Sequence, residues 1–147
     1  MNGAISSNYI PSGVQGACST GCHVPSDAEW TILTDYLGCT STTGGLMKET
    51  GTTHWASPNF GATNESGFTG LPGGYRSYFG NFSSWLINGD WWSTTKYDSF
   101  KAWQRFLSNN TLDLYRNNSD LCFGFSVRCI KDWFSVVTEL SHSLSPP

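Results

Sequence analysis

The sequence is poor in charge and rich in rings. Charged residues make up 13% of its 147 residues and aromatic residues 15%, and the formal net charge is -3. With so few basic residues there is no stripe of lysine and arginine of the kind a nucleic-acid surface needs, so no nucleic-acid partner is expected. Long apolar runs are also missing; none approaches the roughly 20 residues that cross a bilayer, and no membrane span is expected. Met1 to Ser12 have neither a basic start nor an apolar centre and do not read as a secretory signal. The five cysteines, Cys18, Cys22, Cys39, Cys122 and Cys129, contain no Cys-x-x-Cys spacing, which argues against a structural zinc site. They suit one or two disulfides in an oxidising compartment, with an odd thiol left over if the others pair. The length suffices for one domain with a real core and is short for two. The abundance of Gly, Ser, Thr, Asn, Tyr and Trp fits a β-rich recognition protein, because these residues make adaptable contacts at low entropic cost.

The most organised stretch runs from Ala102 to Cys129. Trp103, Arg105 and Leu107 alternate with Gln104, Phe106 and Ser108, as on a strand. Asn109-Asn110 suits a two-residue type I′ turn, and Thr111 to Arg116 forms the return strand. That loop length predicts Ser108 opposite Thr111, Phe106 opposite Asp113 and Gln104 opposite Tyr115. On the other face it pairs Leu107 with Leu112, Arg105 with Leu114 and Trp103 with Arg116. One face is mainly apolar and looks inward; the other is polar and displayed. Phe123, Phe125, Val127 and Cys129 recur at every second position and predict a buried strand after the hairpin.

Elsewhere the pattern is plainer at the start than in the middle. Residues 1–17 read as an extended lead-in. Ser26-Asp27-Ala28-Glu29 is a capping box that opens a helix closed by Gly38, with Trp30, Leu33, Tyr36 and Leu37 as its inward stripe. Cys39 to Gly45 reads as a polar loop and Leu46 to Thr50 as a short second helix. Gly51 to Gly74 lacks periodicity, and Trp55, Phe60, Phe68 and Leu71 are expected to pin it to the core. Tyr75 to Phe79 and Phe82 to Ile87 read as strands about a Gly80-Asn81 turn. Asn88-Gly89 reads as a second turn, before a strand from Asp90 to Thr95. The tail carries an apolar patch from Trp133 to Val137.

Several ordered blocks carry a resemblance. His23-Val24-Pro25-Ser26-Asp27-Ala28-Glu29-Trp30 and Lys48-Glu49-Thr50-Gly51-Thr52-Thr53-His54-Trp55 resemble the Fibrobacter succinogenes major paralogous domain. So do Asn64 to Phe68, Leu71 to Arg76, Trp91-Trp92-Ser93 and Gly124 to Cys129, which extends the likeness from about Cys18 to Asp132. The resemblance implies an α+β, C-type-lectin-like domain at 18–132, with a mainly antiparallel sheet, one firm helix, a short second helix and long ordered loops. An N-terminal segment precedes it and a tail follows from residue 133. It also implies export to the cell surface or beyond, and a disulfide between Cys18 and Cys129, which sit at the family's usual cysteine positions. Cys22 stands where the family usually has Trp and Cys39 where it has Gly, and Cys122 lies in a variable stretch, so their pairing stays open. Proteins of this fold type include targets of diversity-generating retroelements, whose hypervariable residues form a ligand-binding face.

The chemistry on offer favours binding over catalysis. His23 reads as a packing or backbone-bonding residue, and nothing pairs His54 with a nucleophile. The Glu-Pro-Asn, Gln-Pro-Asp and Trp-Asn-Asp motifs of calcium-dependent lectins are absent, and Asp90, Asp98 and Asp113 read as single surface carboxylates. No cofactor or obligatory metal is expected. Trp30, Trp55, Trp91 and Trp103 read as core. The expected function is a non-catalytic extracellular module binding a protein or glycan through Gln104, Phe106, Ser108, Thr111, Asp113 and Tyr115, with Tyr78, Phe79 and Trp85 on adjoining loops. A structural subunit self-associating through the tail is the alternative, and an enzyme related to formylglycine-generating proteins is the weakest reading.

Overall fold

The computed structural model describes residues 6–38 and 40–133. Its frame is a helix laid on one face of a three-stranded antiparallel sheet. Helix α1 spans Asp27–Tyr36, and its start is the capping box: the Ser26 hydroxyl accepts from Glu29 N, and the Glu29 carboxylate accepts from Ser26 N. Two donors that would otherwise be unpaired are thereby satisfied. Trp30 is buried, and Leu33 and Leu37 pack against the core. Tyr36, expected on the inward stripe, is 85% exposed; the helix rests on the sheet through a narrower contact than its apolar residues suggest.

Helix α2 spans Thr40–Met47, so the expected loop at Cys39–Gly45 is mostly helical and the expected helix at Leu46–Thr50 is nearly over. The difference centres on Gly44-Gly45, two residues of low helix propensity. Here the glycines let the helix approach its neighbours: a Cβ on Gly44 would lie 2.3 Å from Asp113 O, and one on Gly45 would lie 2.5 Å from Gly61 O. Close packing against that backbone replaces helix propensity as the reason for the helix.

A short hairpin, β2 (Tyr75–Arg76) with β3 (Phe82–Ser83), leads to the main sheet of β4 (Asn88–Lys96), β5 (Lys101–Ser108) and β6 (Leu114–Asp120), in that spatial order. Asn88-Gly89 is not a turn but the first pair of β4, bonded opposite Ser108 and Leu107. The β5–β6 register also differs from the two-residue-turn expectation. Phe106 lies opposite Tyr115, Gln104 opposite Asn117, Arg105 opposite Arg116, Trp103 opposite Asn118 and Leu107 opposite Leu114. Every partner is thus two residues further along than expected, and because side chains alternate with period two, the slip leaves each residue on its expected face.

The cause is the loop itself. Lys48 is fully buried and its Nζ donates to the carbonyls of Phe60, Ser108 and Thr111, at 2.8, 3.0 and 2.7 Å. Buried Asn109 donates to the carbonyls of Ala56 and Ser57. A two-residue turn has no reach for these contacts, so the connection lengthens and docks on the 51–74 stretch. Trp55 is buried in that stretch and Phe68 packs on Trp30 and Trp91, whereas Phe60 and Leu71 stay exposed. Burial holds the Lys48 ammonium well below its ordinary value, at about 8.

The two ends of the described chain meet. Strand β1 (Cys22–His23) pairs with β7 (Ile130–Lys131), and Cys18 is disulfide-bonded to Cys129 across 111 residues. Closing so long a loop stabilises by about 4–5 kcal/mol in the chain-entropy model. Cys22 and Cys122 are free, and Cys39 lies outside the described residues. His23 is buried, but it bonds side chains and not backbone: its ring nitrogens meet Glu29 and Asp132. Burial opposes the imidazolium, yet the hydrogen bonds to Asp132 and Glu29 prevail and raise its pKa. The stretch 123–129 is no regular buried strand. It makes isolated bridges, Gly124 to Arg76 of β2 and Ser126 to Trp91 of β4, and Val127 is exposed. No helix among the described residues is long and apolar enough to cross a membrane.

Candidate ligand-binding site

The main sheet has one face under α1 and another that carries the candidate site. On the helix side Arg105 is buried with Asp27, whose carboxylate it meets at 2.6 Å, and Arg116 adds a bidentate contact to the same carboxylate. Burial alone would raise the Asp27 pKa, but the hydrogen bonds from Arg116 and Arg105 outweigh it and hold the group below its ordinary range. Leu107, Leu114 and Trp91 complete that side. Trp103, expected in the core, is only half-buried; Tyr97 meets it edge-on and the Arg116 guanidinium lies 3.4 Å above its ring.

On the opposite face Asp90 and Gln104 form the floor of a cavity of about 260 Å³. Strand alternation and the β4–β5 register put them there, Asp90 opposite Phe106 and Trp92 opposite Gln104. Both are 4% exposed, and neither Asp90 Oδ2 nor Gln104 Oε1 has a hydrogen-bond partner among the described residues. Burial raises the Asp90 carboxyl to about 7. The surface reading of Asp90 is therefore overturned. Asn88 and Gly89 begin β4 instead of turning, which carries Asp90 into the strand and under its neighbours.

The walls are aromatic. Tyr75 comes from β2, Phe106 from β5, and Phe123 and Phe125 from the segment that runs beside β4. Tyr75 packs on Phe123 and Phe125 with centroids 5.7 and 6.2 Å apart, and Phe125 lies 4.4 Å from Trp92. Backbone bonds fix this wall: Arg76 and Gly124 exchange both of theirs, and Ser126 bonds Asp90 O and Trp92 N. Phe106 stacks on Tyr115 at 4.4 Å and 9°, and the Tyr115 hydroxyl donates to Asp113. Asn88 and Ser119 supply the polar rim.

The residues singled out in the sequence divide accordingly. Gln104 and Phe106 line the cavity, but Gln104 is buried and not displayed, because the 123–126 segment and β2 cover the centre of that face. Tyr115 and Asp113 stand behind Phe106. Tyr78 and Phe79 stack on each other at 3.8 Å, and Tyr78 meets Phe123 edge-on at 6.2 Å, so this exposed pair flanks the aromatic wall. Trp85, 69% exposed, does not line the cavity, nor do Ser108 and Thr111. The Ser108 hydroxyl bonds Asn110, and Thr111 Oγ1 is buried without a hydrogen-bond partner among the described residues. Asp90, Tyr75, Phe123 and Phe125 were missed as site residues. The alternation Asn88, Asp90, Trp92 is the signal that held Asp90, once β4 is started two residues earlier.

Exposed His54 is bound by Glu49. Among the described residues no three His, Cys, Asp or Glu side chains cluster as a metal set would. Comparison with curated proteins and with solved structures gives no match in either. The model of one family, the Fibrobacter succinogenes major domain, matches residues 6–131. Nearly all of the described chain falls within that match, and the chain belongs to the Fibrobacter succinogenes major domain family.

Proposed function

We propose that this chain is a non-catalytic extracellular ligand-binding module of C-type-lectin-like fold, and that it binds through the aromatic cavity on the open face of the main sheet. One observation carries the reading: Asp90 and Gln104 line the cavity, and each keeps a buried oxygen that no donor among the described residues satisfies. A buried acceptor left unpaired costs about 1–3 kcal/mol, so a fold that keeps two at the floor of one cavity gains when a ligand supplies the donors. Aromatic walls with a few convergent polar groups are the usual make-up of small-ligand sites. The disulfide supports placement in an oxidising compartment.

Self-association through 133–137 rests almost wholly on residues outside the described ones; Trp133 alone is described, at 98% exposed.

The test is a nuclear magnetic resonance screen of the intact chain with saccharides, amino acids and simple amines. Hits are expected to shift the backbone signals of Asp90, Phe106 and Gly124 together. Phe123→Ala should stay folded and lose those hits. A ligand that binds Phe123→Ala and the parent equally, or shifts only signals remote from the cavity, would place the site elsewhere. Chemical turnover of a hit would end the non-catalytic reading.

A further inference from the structure

We infer that the cavity is built for a cation, an ammonium or guanidinium group on an alkyl stem, with Asp90 as its counter-ion and the rings of Tyr75, Phe106, Phe123 and Phe125 as its cage. The inference rests on the cavity being the binding site and goes further in naming the chemistry it selects. Both unpartnered floor atoms, Asp90 Oδ2 and Gln104 Oε1, are acceptors, so the ligand must bring donors.

Donors alone do not decide between a sugar hydroxyl and a cation; charge does. Among the described residues, Asp90 is the one acidic or basic side chain lining the cavity, and none of them gives it a positive partner. A hydroxyl would satisfy its hydrogen-bonding capacity but give the ionised carboxylate no counter-charge, so only a cation stabilises that form. An ammonium or guanidinium supplies the donor and the opposite charge at once. Ring faces are electron-rich and attract cations most strongly where water is excluded. The net charge of -3 favours approach of a cation over an anion.

Other charged groups nearby do not serve Asp90. Arg76 follows Tyr75 on β2 and its guanidinium lies beside Gly80. Arg105 and Arg116 are committed to Asp27 on the opposite face of the sheet. Lys101 and Asp120, paired across the β5–β6 edge, do not line the cavity, nor do His23, His54 and Arg128. Tyr75 is the other titratable side chain in the lining. Burial puts the Asp90 carboxyl at about 7, so the counter-ion is half formed at neutral pH and a cation completes it.

A cation of this kind has two sources, a free amine or a lysine or arginine side chain on a partner, and the experiment separates them. The intact chain is titrated with n-butylammonium, butylguanidinium, a lysine-containing tripeptide blocked at both ends, neutral n-butanol and methyl glucoside, followed by cavity backbone signals. Cationic probes should bind and the neutral ones should not. Binding should strengthen from pH 6 to pH 8 as Asp90 ionises, while the probes keep their charge throughout. Asp90→Asn should weaken cation binding by about thirtyfold or more, and Phe123→Ala should weaken it with the pH dependence retained. Preference for the free amines assigns a small-molecule ligand, and preference for the peptide assigns a basic side chain on a partner. If the glucoside binds in the cavity and Asp90→Asn leaves that unchanged, the cation assignment fails while the cavity stands as the site. If folded parent protein shows no cavity shifts with any probe, the cation assignment fails and the site itself comes into question.

Discussion

The two faces of the main sheet each bury an aspartate, and they treat it in opposite ways. On the helix side Asp27 is held by Arg105 and Arg116 and its carboxyl stays below the ordinary range. On the open side Asp90 has no cationic partner among the described residues and its carboxyl rises to about 7. The strands are the same and the register is the same, so the backbone does not make the difference. Asp27 belongs to a network complete within the chain, and its burial is structural. Asp90 belongs to a network left open at the cavity, and its burial makes sense in terms of what enters from outside.

The sharpest way to break this comparison is to remove the complete network. Asp27→Ala leaves Arg105 buried without a counter-charge and should cost about 3–5 kcal/mol, measured by denaturant unfolding at pH 7. The contribution of Asp27 is present above the unfolded carboxyl value near 3.8 and fades as pH falls through the lower folded value. A loss much below 1 kcal/mol would show that Arg105 finds another partner.

Adjacent residues on opposite faces give the next contrast. Leu107 is fully buried on the helix side, and Leu107→Ala should cost about 2–5 kcal/mol through the cavity it leaves. Its neighbour Phe106 is half-buried on the open side, so Phe106→Ala should cost far less, on the order of 1 kcal/mol from the lost stack on Tyr115. Equal losses in thermal melts would mean that both faces are core.

Asp90 itself should show the opposite sign to Asp27. Its folded pKa is raised from 3.8 to about 7, so the folded protein holds a proton that the unfolded chain has released between those values. Stability attributable to this group therefore falls as pH rises from about 4 to about 7. Asp90→Asn should be neutral near pH 4 and stabilising by about 1–3 kcal/mol at pH 8, while binding suffers. Taking the difference between variant and parent at each pH removes the contribution of His23, which is common to both. A difference that does not change with pH would mean that Asp90 is already compensated within the protein.

The sequence by itself determined what rests on local signals. The Ser26 box opens α1 because its bonds span three residues, and strand alternation assigned Arg105 and Leu107 to one face and Gln104 and Phe106 to the other. That assignment held through a two-residue slip in register, because a period of two is blind to even shifts. Family membership was legible too, since it depends on ordered blocks spread along the chain.

Only the tertiary structure decided how long the β5–β6 connection would be. It is set by Lys48 drawing together carbonyls from Phe60, Ser108 and Thr111, residues up to 63 positions away. Only the tertiary structure made Gly44-Gly45 helical, through the close approach of the Asp113 and Gly61 backbones. It also covered Gln104 and turned a displayed face into a walled cavity, because Ser126 bonds the segment of Phe123 and Phe125 to β4 while Gly124 bonds it to β2, which carries Tyr75. Burial and desolvation depend on everything that comes to lie around a group. For that reason, alternation could put Asp90 on the face of Asn88 and Trp92, but only the segments packed over that face made it the floor of a site.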